Sequence, residues 1–341
     1  MKNTRSKRDK SNKRHRKTKR RTRRLNFSFA IQLIACAIVL HYIVLVTDVK
    51  PKNFESAQEI EKIVSMETIA TEPIVETIPE PVVEVTEEPI IENPLPLEIH
   101  QIAVGQANAY LIRCDDFTVF VDGGRSRSYE KVKKYLDNFG VETVDVYIAT
   151  HWHGDHVENM SKILLEYAHE NTIVYGTTQE PSPKYEVTKG TYIQMVPGTN
   201  FNIGDVGFLC VGPDEILHKG NENPDSLNIL IQYNDFKFLM TADYIKDAAI
   251  EMFGEFLRNV DIIQMPHHGL QPFRISEMAM LYCNPEVMLV PVDNSYDSRH
   301  FLKTLELKTK VYDNKDGCIA IVSYGDDYEV YTNVKTPNDI I

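Results

Sequence analysis

Three patterns of apolar and polar positions follow one another along the chain, and each predicts a different kind of structure. The first is the unbroken apolar run LNFSFAIQLIACAIVLHYIVLVTDV at 25–49, with no charged residue between Phe27 and Thr47. About 20 such residues cross the hydrocarbon core of a bilayer as a helix. The run is too long for the apolar region of a secretory signal and shows no clear small-residue cleavage site. It predicts one transmembrane helix over residues 25–48, with His41 as a neutral residue near the interface.

The second pattern occupies residues 49–96 and is rich in Glu and Pro, with no glycine between Glu55 and Glu98. Apolar pairs recur every eight residues, in Glu72-Pro73-Ile74-Val75-Glu76, Glu80-Pro81-Val82-Val83-Glu84 and Glu88-Pro89-Ile90-Ile91-Glu92. Prolines at that density forbid a continuous helix. Extended, self-repelling chain predicts a semi-rigid stalk of about 3 Å per residue. A short helix is expected at 56–70, where Glu59, Ile60, Ile63 and Val64 have helical spacing. The alternative is that the Ile-Val pairs form a partner-docking strand.

The third pattern, residues 97–341, mixes the strand and helix periods. Strand-like runs fall at 98–104, 107–112, 117–121, 144–149, 172–175, 206–211, 227–233, 236–241, 261–265, 287–292 and 318–323. Helical spacing appears at 129–139, which Gly140 ends, and at 158–169, 246–259, 276–282 and 300–307. Adjacent strands followed by strand-helix alternation predict an α/β (α+β) domain of two sheets faced by helices.

Charge sharpens this division. Residues 1–24 hold fourteen Lys or Arg and one acid, Asp9, a local net of +13, which leaves −25 for the rest of the chain. Basic residues before the apolar run and acidic ones after it place residues 1–24 in the cytoplasm and the large domain outside. The protein is then a single-pass cell-membrane protein whose basic tail contacts anionic lipid. Of the five cysteines, Cys36 falls in the apolar run, and Cys114, Cys210, Cys283 and Cys318 are scattered without metal-type spacing. Three of those four lie in apolar stretches and read as small core residues.

The chemistry concentrates after the 144–149 strand. His151, His153, Asp155 and His156 fall within six residues. On extended chain, i and i+2 share a side, so His151 and His153 can converge on one ion. Gly154 then lets the chain turn and present Asp155 and His156 at a second position. Imidazole and carboxylate suit Zn, Mn or Fe ions. Asp243 follows another strand and Pro266-His267-His268-Gly269 a third. Singly, Asp243 reads as a helix N-cap and the histidines as polar loop residues; beside the first cluster they complete a two-metal set.

The segment Thr150-His151-Trp152-His153-Gly154-Asp155-His156 resembles the H-x-H-x-D-H signature of the metallo-β-lactamase superfamily. Further segments are similar to the hydrolase domain of ComEC-type competence proteins, in order: Val104-Gly105-Gln106-Ala107-Asn108-Ala109, Val121-Asp122-Gly123-Gly124, Asn223-Pro224-Asp225-Ser226-Leu227, Thr241-Ala242-Asp243 and His267-His268-Gly269-Leu270. The resemblance covers 97–330 and implies a four-layer αββα sandwich with two divalent ions, Zn or Mn, at one edge. It assigns His151 and His153 to the first ion and Asp155 and His156 to the second. Asp243 bridges them, and one of His267 or His268 ligates the second. Glu222 and Asn223 stand where many members have another histidine, so the first ion is short of a ligand; His218, nearby, is either a substitute or a plain loop residue. Asn108, Ala242 and Leu270 depart from the ComEC-like pattern, and its later N-x-Y-G-H-P element survives only as Asn294-Ser295-Tyr296 with His300 displaced.

The implied activity is hydrolysis by a hydroxide held between the ions and oriented by Asp155, with His156 and Asp243 in the catalytic centre. Asp122 either steadies an imidazole or braces the Gly123-Gly124 turn. Asn294, Tyr296 and His300 are candidate substrate contacts, and Trp152 is core or pocket wall. The resemblance favours phosphodiesters, in nucleic acid or a cell-wall polymer. Against free duplex DNA stand the negative charge and the lack of a dense Lys/Arg run after residue 24. The alternatives are a carbonyl hydrolase acting on lactones, thioesters or β-lactams, and a surface module that binds without catalysis.

Overall fold

Strand alternation sorts the side chains of each sheet between two sides, and this sorting builds four layers. A computed structural model describes residues 95–291 and 295–340. The predicted transmembrane run, the stalk with its short helix at 56–70, and the basic tail lie outside the described residues. Among the described residues no helix is long and apolar enough to cross a membrane.

The first sheet contains β1 (Leu97–Gln101), β2 (Ala109–Cys114), β3 (Phe117–Asp122), β4 (Val144–Ala149), β5 (Ala168–Gly176) and β6 (Thr191–Gln194). The second contains β7 (Asn200–Ile203), β8 (Val206–Gly212), β9 (Asn228–Tyr233), β10 (Phe236–Met240), β11 (Ile262–Gln264), β12 (Val287–Val290) and β13 (Lys310–Asp313). Then β14 (Cys318–Ser323) and β15 (Tyr328–Val334) return to the first sheet, giving the orders β15-β14-β1-β2-β3-β4-β5-β6 and β13-β12-β11-β10-β9-β8-β7. Two strand pairs matter for the site. β3 runs parallel to β4, with Val119 opposite Val146. In the other sheet β10 runs parallel to β11, with Phe238 opposite Ile262.

Three buried clusters separate the layers. Tyr110, Ile112, Val119 and Ile148 meet Phe208, Ile229, Ile231 and Phe238 between the sheets. Their chain neighbours Leu111, Phe120 and Tyr147 turn outward against α1 (Tyr129–Asn138) and α3 (Met160–Tyr167), burying Val132, Leu136, Ile163 and Leu164. On the far side, Leu230, Leu239 and Ile263 pack against Ile250 and Phe253 of α4 (Asp247–Leu257), Met280 of α5 (Glu277–Cys283) and Leu302 of α6 (Ser295–Thr304). Each fully buried side chain of this size contributes about 1.5–3 kcal/mol, which holds the strand ends firmly enough to carry strained turns. The order helix, sheet, sheet, helix is the expected αββα sandwich.

Some boundaries differ from the predicted ones. The helix expected over 158–169 stops at Tyr167, because Ala168 and His169 enter β5 beside Val144. The helix expected over 300–307 begins at Ser295. Four strands escaped the pattern, β6, β7, β13 and β15, and they are the four edges of the two sheets. Cys210, Cys283 and Cys318 are buried as read; burial pushes the thiols of Cys210 and Cys283 up to about 12.

Candidate metal centre

Chains that leave the carboxyl ends of parallel strands make the ligand-binding edge of an α/β sheet. Here two such edges face each other. Asp122 ends β3, and Thr150–His153 follow β4. The one-turn helix α2 (Gly154–Val157) then carries Asp155 and His156. From the second sheet, Asp243 follows β10 and His268 follows β11 in the turn Pro266–Gly269.

Two tight groups result: His151, His156 and Asp243, and Asp155, His156 and His268. His156 Nε2 lies 3.1 Å from Asp243 Oδ1, and His151 Nε2 lies 3.7 Å from Asp243 Oδ2. His268 Nε2 is 3.5 Å from Asp155 Oδ2 and 3.6 Å from Asp243 Oδ1. His156 thus belongs to both groups, whereas the resemblance assigned it to the second ion alone. The cause is Asp122. Its fully buried carboxylate holds His156 Nδ1 at 2.7 Å, accepts from Thr150 N at 2.9 Å, and accepts from Thr150 Oγ1. That fixes the imidazole with Nε2 turned toward the other acids. Asp122 therefore does more than brace the Gly123-Gly124 turn.

Other groups steady the remaining residues of the cluster. Ser226 Oγ lies 3.4 Å from His151 Nδ1 and accepts from Asp243 N at 3.3 Å. Gln264 accepts from the backbone N–H groups of Thr241 and Ala242 and donates to Ala242 O, which shapes the turn before Asp243. Several backbones here are left-handed: Asp122, Ala242, His267 and His268 have φ between 50° and 60°. For non-glycine residues each such conformation costs about 1–3 kcal/mol. Ala242, which stands where the ComEC-like pattern has Gly, sits at one of these strained positions.

Electrostatics separate the ligands. Burial, and then the neighbouring His156, push His151 well below its ordinary value, leaving a neutral imidazole with a free lone pair. Burial works the same way on His156, but the carboxylates of Asp243 and Asp122 outweigh it and hold His156 well above its ordinary value. Burial opposes ionisation of Asp243 and Asp155, yet their histidine neighbours keep both carboxyls below the usual range.

The expected residues fall into place unevenly. His151, Asp155, His156, Asp243 and His268 are brought together. His268 is the member of its pair in the cluster, while His267 is half-buried beside it. His153 stands edge-on to His151, ring centres 4.6 Å apart, outside the two tight groups. His218 is half-exposed, lies 3.9 Å from Asp225, and belongs to neither group. Trp152 is core: it stacks on Tyr185 and Tyr192 and donates to Thr178 Oγ1. Asn294 lies outside the described residues. Tyr296 and His300 are exposed on α6, which packs against the Pro266–Gly269 turn. Thr150, Ser226 and Arg125 were missed. The first two lay inside quoted motifs without a role, and Arg125 follows Asp122-Gly123-Gly124 directly.

The cluster fits divalent cations. His151 Nε2, His156 Nε2 and Asp243 Oδ1 are buried and lack a hydrogen bond of acceptable geometry, although the last two are only 3.1 Å apart. Ligand atoms about 2.1 Å from a tetrahedral ion stand roughly 3.4 Å from each other. The observed separations of 3.1–3.7 Å bracket that spacing.

Comparison with known proteins agrees. The sequence profile described as "Metallo-beta-lactamase superfamily" matches residues 102–310, more than half of the chain. No curated protein matches. Among solved structures, the metallo-β-lactamase fold protein YhfI from Bacillus subtilis is 15 % identical, covering 67 % of this chain and 100 % of that one, with a TM-score of 0.49. A diphosphatase from the PhnP family is 13 % identical over 65 % of this chain and 96 % of its own, with a TM-score of 0.44. The short form of human tRNase Z is 12 % identical over 57 % of this chain and 92 % of its own, with a TM-score of 0.37. At these scores the likenesses bear on neither substrate nor mechanism. The profile match rests on the stretch that supplies every strand end of the cluster, and by it the chain belongs to the metallo-β-lactamase superfamily.

Proposed function

We propose that this metallo-β-lactamase-fold hydrolase is a phosphodiesterase of the ComEC-like kind, held at the outer face of the cell membrane. The observation that supports it is the pair of ligand groups sharing His156 and facing Asp243, which suits two neighbouring cations. Ions bound there would polarise a phosphoryl oxygen and acidify a water, and two of them would steady both the attacking and the leaving oxygen. The ligands are His151, Asp155, His156, Asp243 and His268, with His153 beside them; Zn and Mn both suit the donor set. Asp122 and Thr150 hold His156 in the tautomer that offers Nε2, and Ser226 holds His151. Asp155, on the exposed side of the cluster, orients the attacking water. The water oxygen bonds to phosphorus, the P–O bond to one alcohol breaks, and that alcohol leaves with a proton while a monoester remains.

From residue 97 onward acids outnumber bases by 16. That disfavours free duplex DNA and favours small or wall-bound diesters. Residues 25–48 serve as the anchor, 49–96 as the stalk, and 1–24 lie against lipid on the cytoplasmic side.

The test is turnover of bis-p-nitrophenyl phosphate by the full-length chain, beside nitrocefin and a homoserine lactone. Diester turnover lost on chelation and in Asp155→Ala, with the fold intact, supports the reading. Turnover of the lactone or nitrocefin alone replaces it with a carbonyl hydrolase; an inert chain that holds no metal replaces it with a binding module. Protease treatment of intact cells tests the topology: the stalk is expected to be cleaved and the basic tail protected.

A further inference from the structure

The connection from β8 to β9 returns against the strand end that carries His151 and His153, and a carboxylate outside the cluster shapes it. Asp225 is fully buried, and its Oδ1 accepts from Leu217 N at 3.0 Å. Its Oδ2 accepts from His218 N at 3.1 Å and from Gly220 N at 2.8 Å. Lys219 and Gly220 are both left-handed, with φ of 55° and 73°. Chain turned in this way aims successive N–H groups at one point, a concavity that suits an anion. Here the anion is the chain's own Asp225. Lys219 carries a Cβ and is strained in this conformation, so the turn depends on the hydrogen bonds that Asp225 accepts.

The turn is fastened to both chain neighbours of His151. On one side Trp152 N donates to Gly220 O at 2.6 Å, and on the other Thr150 O accepts from Leu227 N at 2.9 Å. Gly220 lies directly against the indole, since a Cβ there would stand 2.5 Å from Trp152 Cδ1. Thr177, just past β5, donates from Oγ1 to Asp225 O at 2.7 Å and so holds Asp225 itself. Asp225 thus joins the two backbone bonds that grip the peptides before and after His151.

We propose that Asp225 is a positioning residue for the first ligand group: its carboxylate folds residues 217–220 into a strap whose Gly220 carbonyl holds the Trp152 N–H and so sets His151 opposite Asp243. This role rests on the two-cation reading of the cluster and divides the cluster in two. His151 belongs to the group with His156 and Asp243 only. The other group, Asp155, His156 and His268, hangs from α2 and from the Pro266–Gly269 turn. Loosening the strap therefore displaces a ligand of one cation and of one alone.

Trp152 is the only tryptophan of the chain, so its fluorescence reports on the strap without a label. The full-length chain is compared as wild type, Asp225→Ala, Asp225→Asn and Thr177→Val. The first measurement is Trp152 emission and its quenching by acrylamide in chelator-treated protein. The second is a zinc titration against a competing chelator, resolved into its two steps, with the melting temperature of the stripped protein recorded. Asp225→Ala leaves three N–H groups without their acceptor, and the strap opens. Emission then shifts to the red and quenching rises. One zinc step weakens about 10- to 100-fold, the range for groups that orient a ligating histidine, while the other stays close to wild type. Asp225→Asn keeps one acceptor oxygen and turns its NH2 toward a backbone N–H, so it recovers part of the change. Thr177→Val removes the bond to Asp225 O and moves the same readings less; if Asp225→Ala does not fold, these two variants carry the comparison. Wild-type fluorescence and zinc steps in the Asp225 variants overturn the proposal. An opened Trp152 with both zinc steps unchanged does so too, because the strap then does not set His151. Equal weakening of both steps with a lower melting temperature makes Asp225 a general prop of the fold and also overturns it. A wild type that holds no zinc, yet whose Trp152 opens in the variants, overturns the metal reading of the cluster while the strap itself stands.

Discussion

Replacing Asp122 with Asn isolates the charge that fixes His156. The native carboxylate accepts from Thr150 N and Thr150 Oγ1 and holds His156 Nδ1 at 2.7 Å, all in a fully buried place. Asn tolerates the left-handed backbone at φ 60° as well as Asp does, so backbone strain does not change. The amide, however, has one acceptor and one donor end. If its oxygen stays on Thr150 N, its NH2 turns to His156 Nδ1, and the imidazole proton moves to Nε2, where no lone pair remains for a cation. If the amide flips, the NH2 opposes Thr150 N–H instead. Either way a hydrogen bond to a charged group is lost, about 1.5–3 kcal/mol. Metal affinity falls about 10- to 100-fold, as for other groups that orient a ligating histidine. The assay is metal titration of the full-length chain against a competing chelator, with urea unfolding of the stripped protein alongside. An Asp122→Asn protein holding metal within about two-fold of wild type would refute this role, since the effect sought is at least about ten-fold.

Three further outcomes are expected. His268→Ala loses metal, whereas His267→Ala retains it, because His268 Nε2 lies 3.5–3.6 Å from Asp155 and Asp243; metal content after dialysis distinguishes them. In Gly220→Ala the new Cβ sits at φ 73° and within 2.5 Å of Trp152 Cδ1 and 2.6 Å of Thr177 Cγ2, which destabilises by about 1–3 kcal/mol in urea unfolding. Burial holds His100 below its ordinary 6.5 despite the Glu98 carboxylate at 3.1 Å. The unfolded chain then takes up the proton first, so stability drops as pH falls below 6.5 and is level above it; His100→Gln flattens that part of the unfolding-versus-pH curve.

Strands with a neighbour on each side were legible in the sequence, and strands at the sheet edges were not. The central strands β4 and β14 run over 144–149 and 318–323, as their apolar pattern predicted. All four missed strands are sheet edges, where one side of the ladder meets solvent and polar residues interrupt the alternation. Thr191–Gln194, for example, is exposed at every second position. The meeting of His151, Asp155, His156, Asp243 and His268 was readable because histidines and acids crowd at strand ends. Which imidazole of His267 and His268 turns inward was not readable: both backbones are left-handed, a turn that local spacing does not encode. The sharing of His156 was also hidden, since it depends on Asp122, 34 residues earlier.

The candidate ligands come from both halves of the sandwich: His151, Asp155 and His156 hang from the eight-stranded sheet, Asp243 and His268 from the seven-stranded one. A cation seated among them is a rivet through two plates that otherwise meet through apolar packing and a few hydrogen bonds, such as Leu227 N to Thr150 O at 2.9 Å. Stripping the ions therefore removes one tie at this rim and leaves like-charged carboxylates facing each other there. Ion supply would then govern how long the folded molecule survives proteases, quite apart from whether it turns over any substrate.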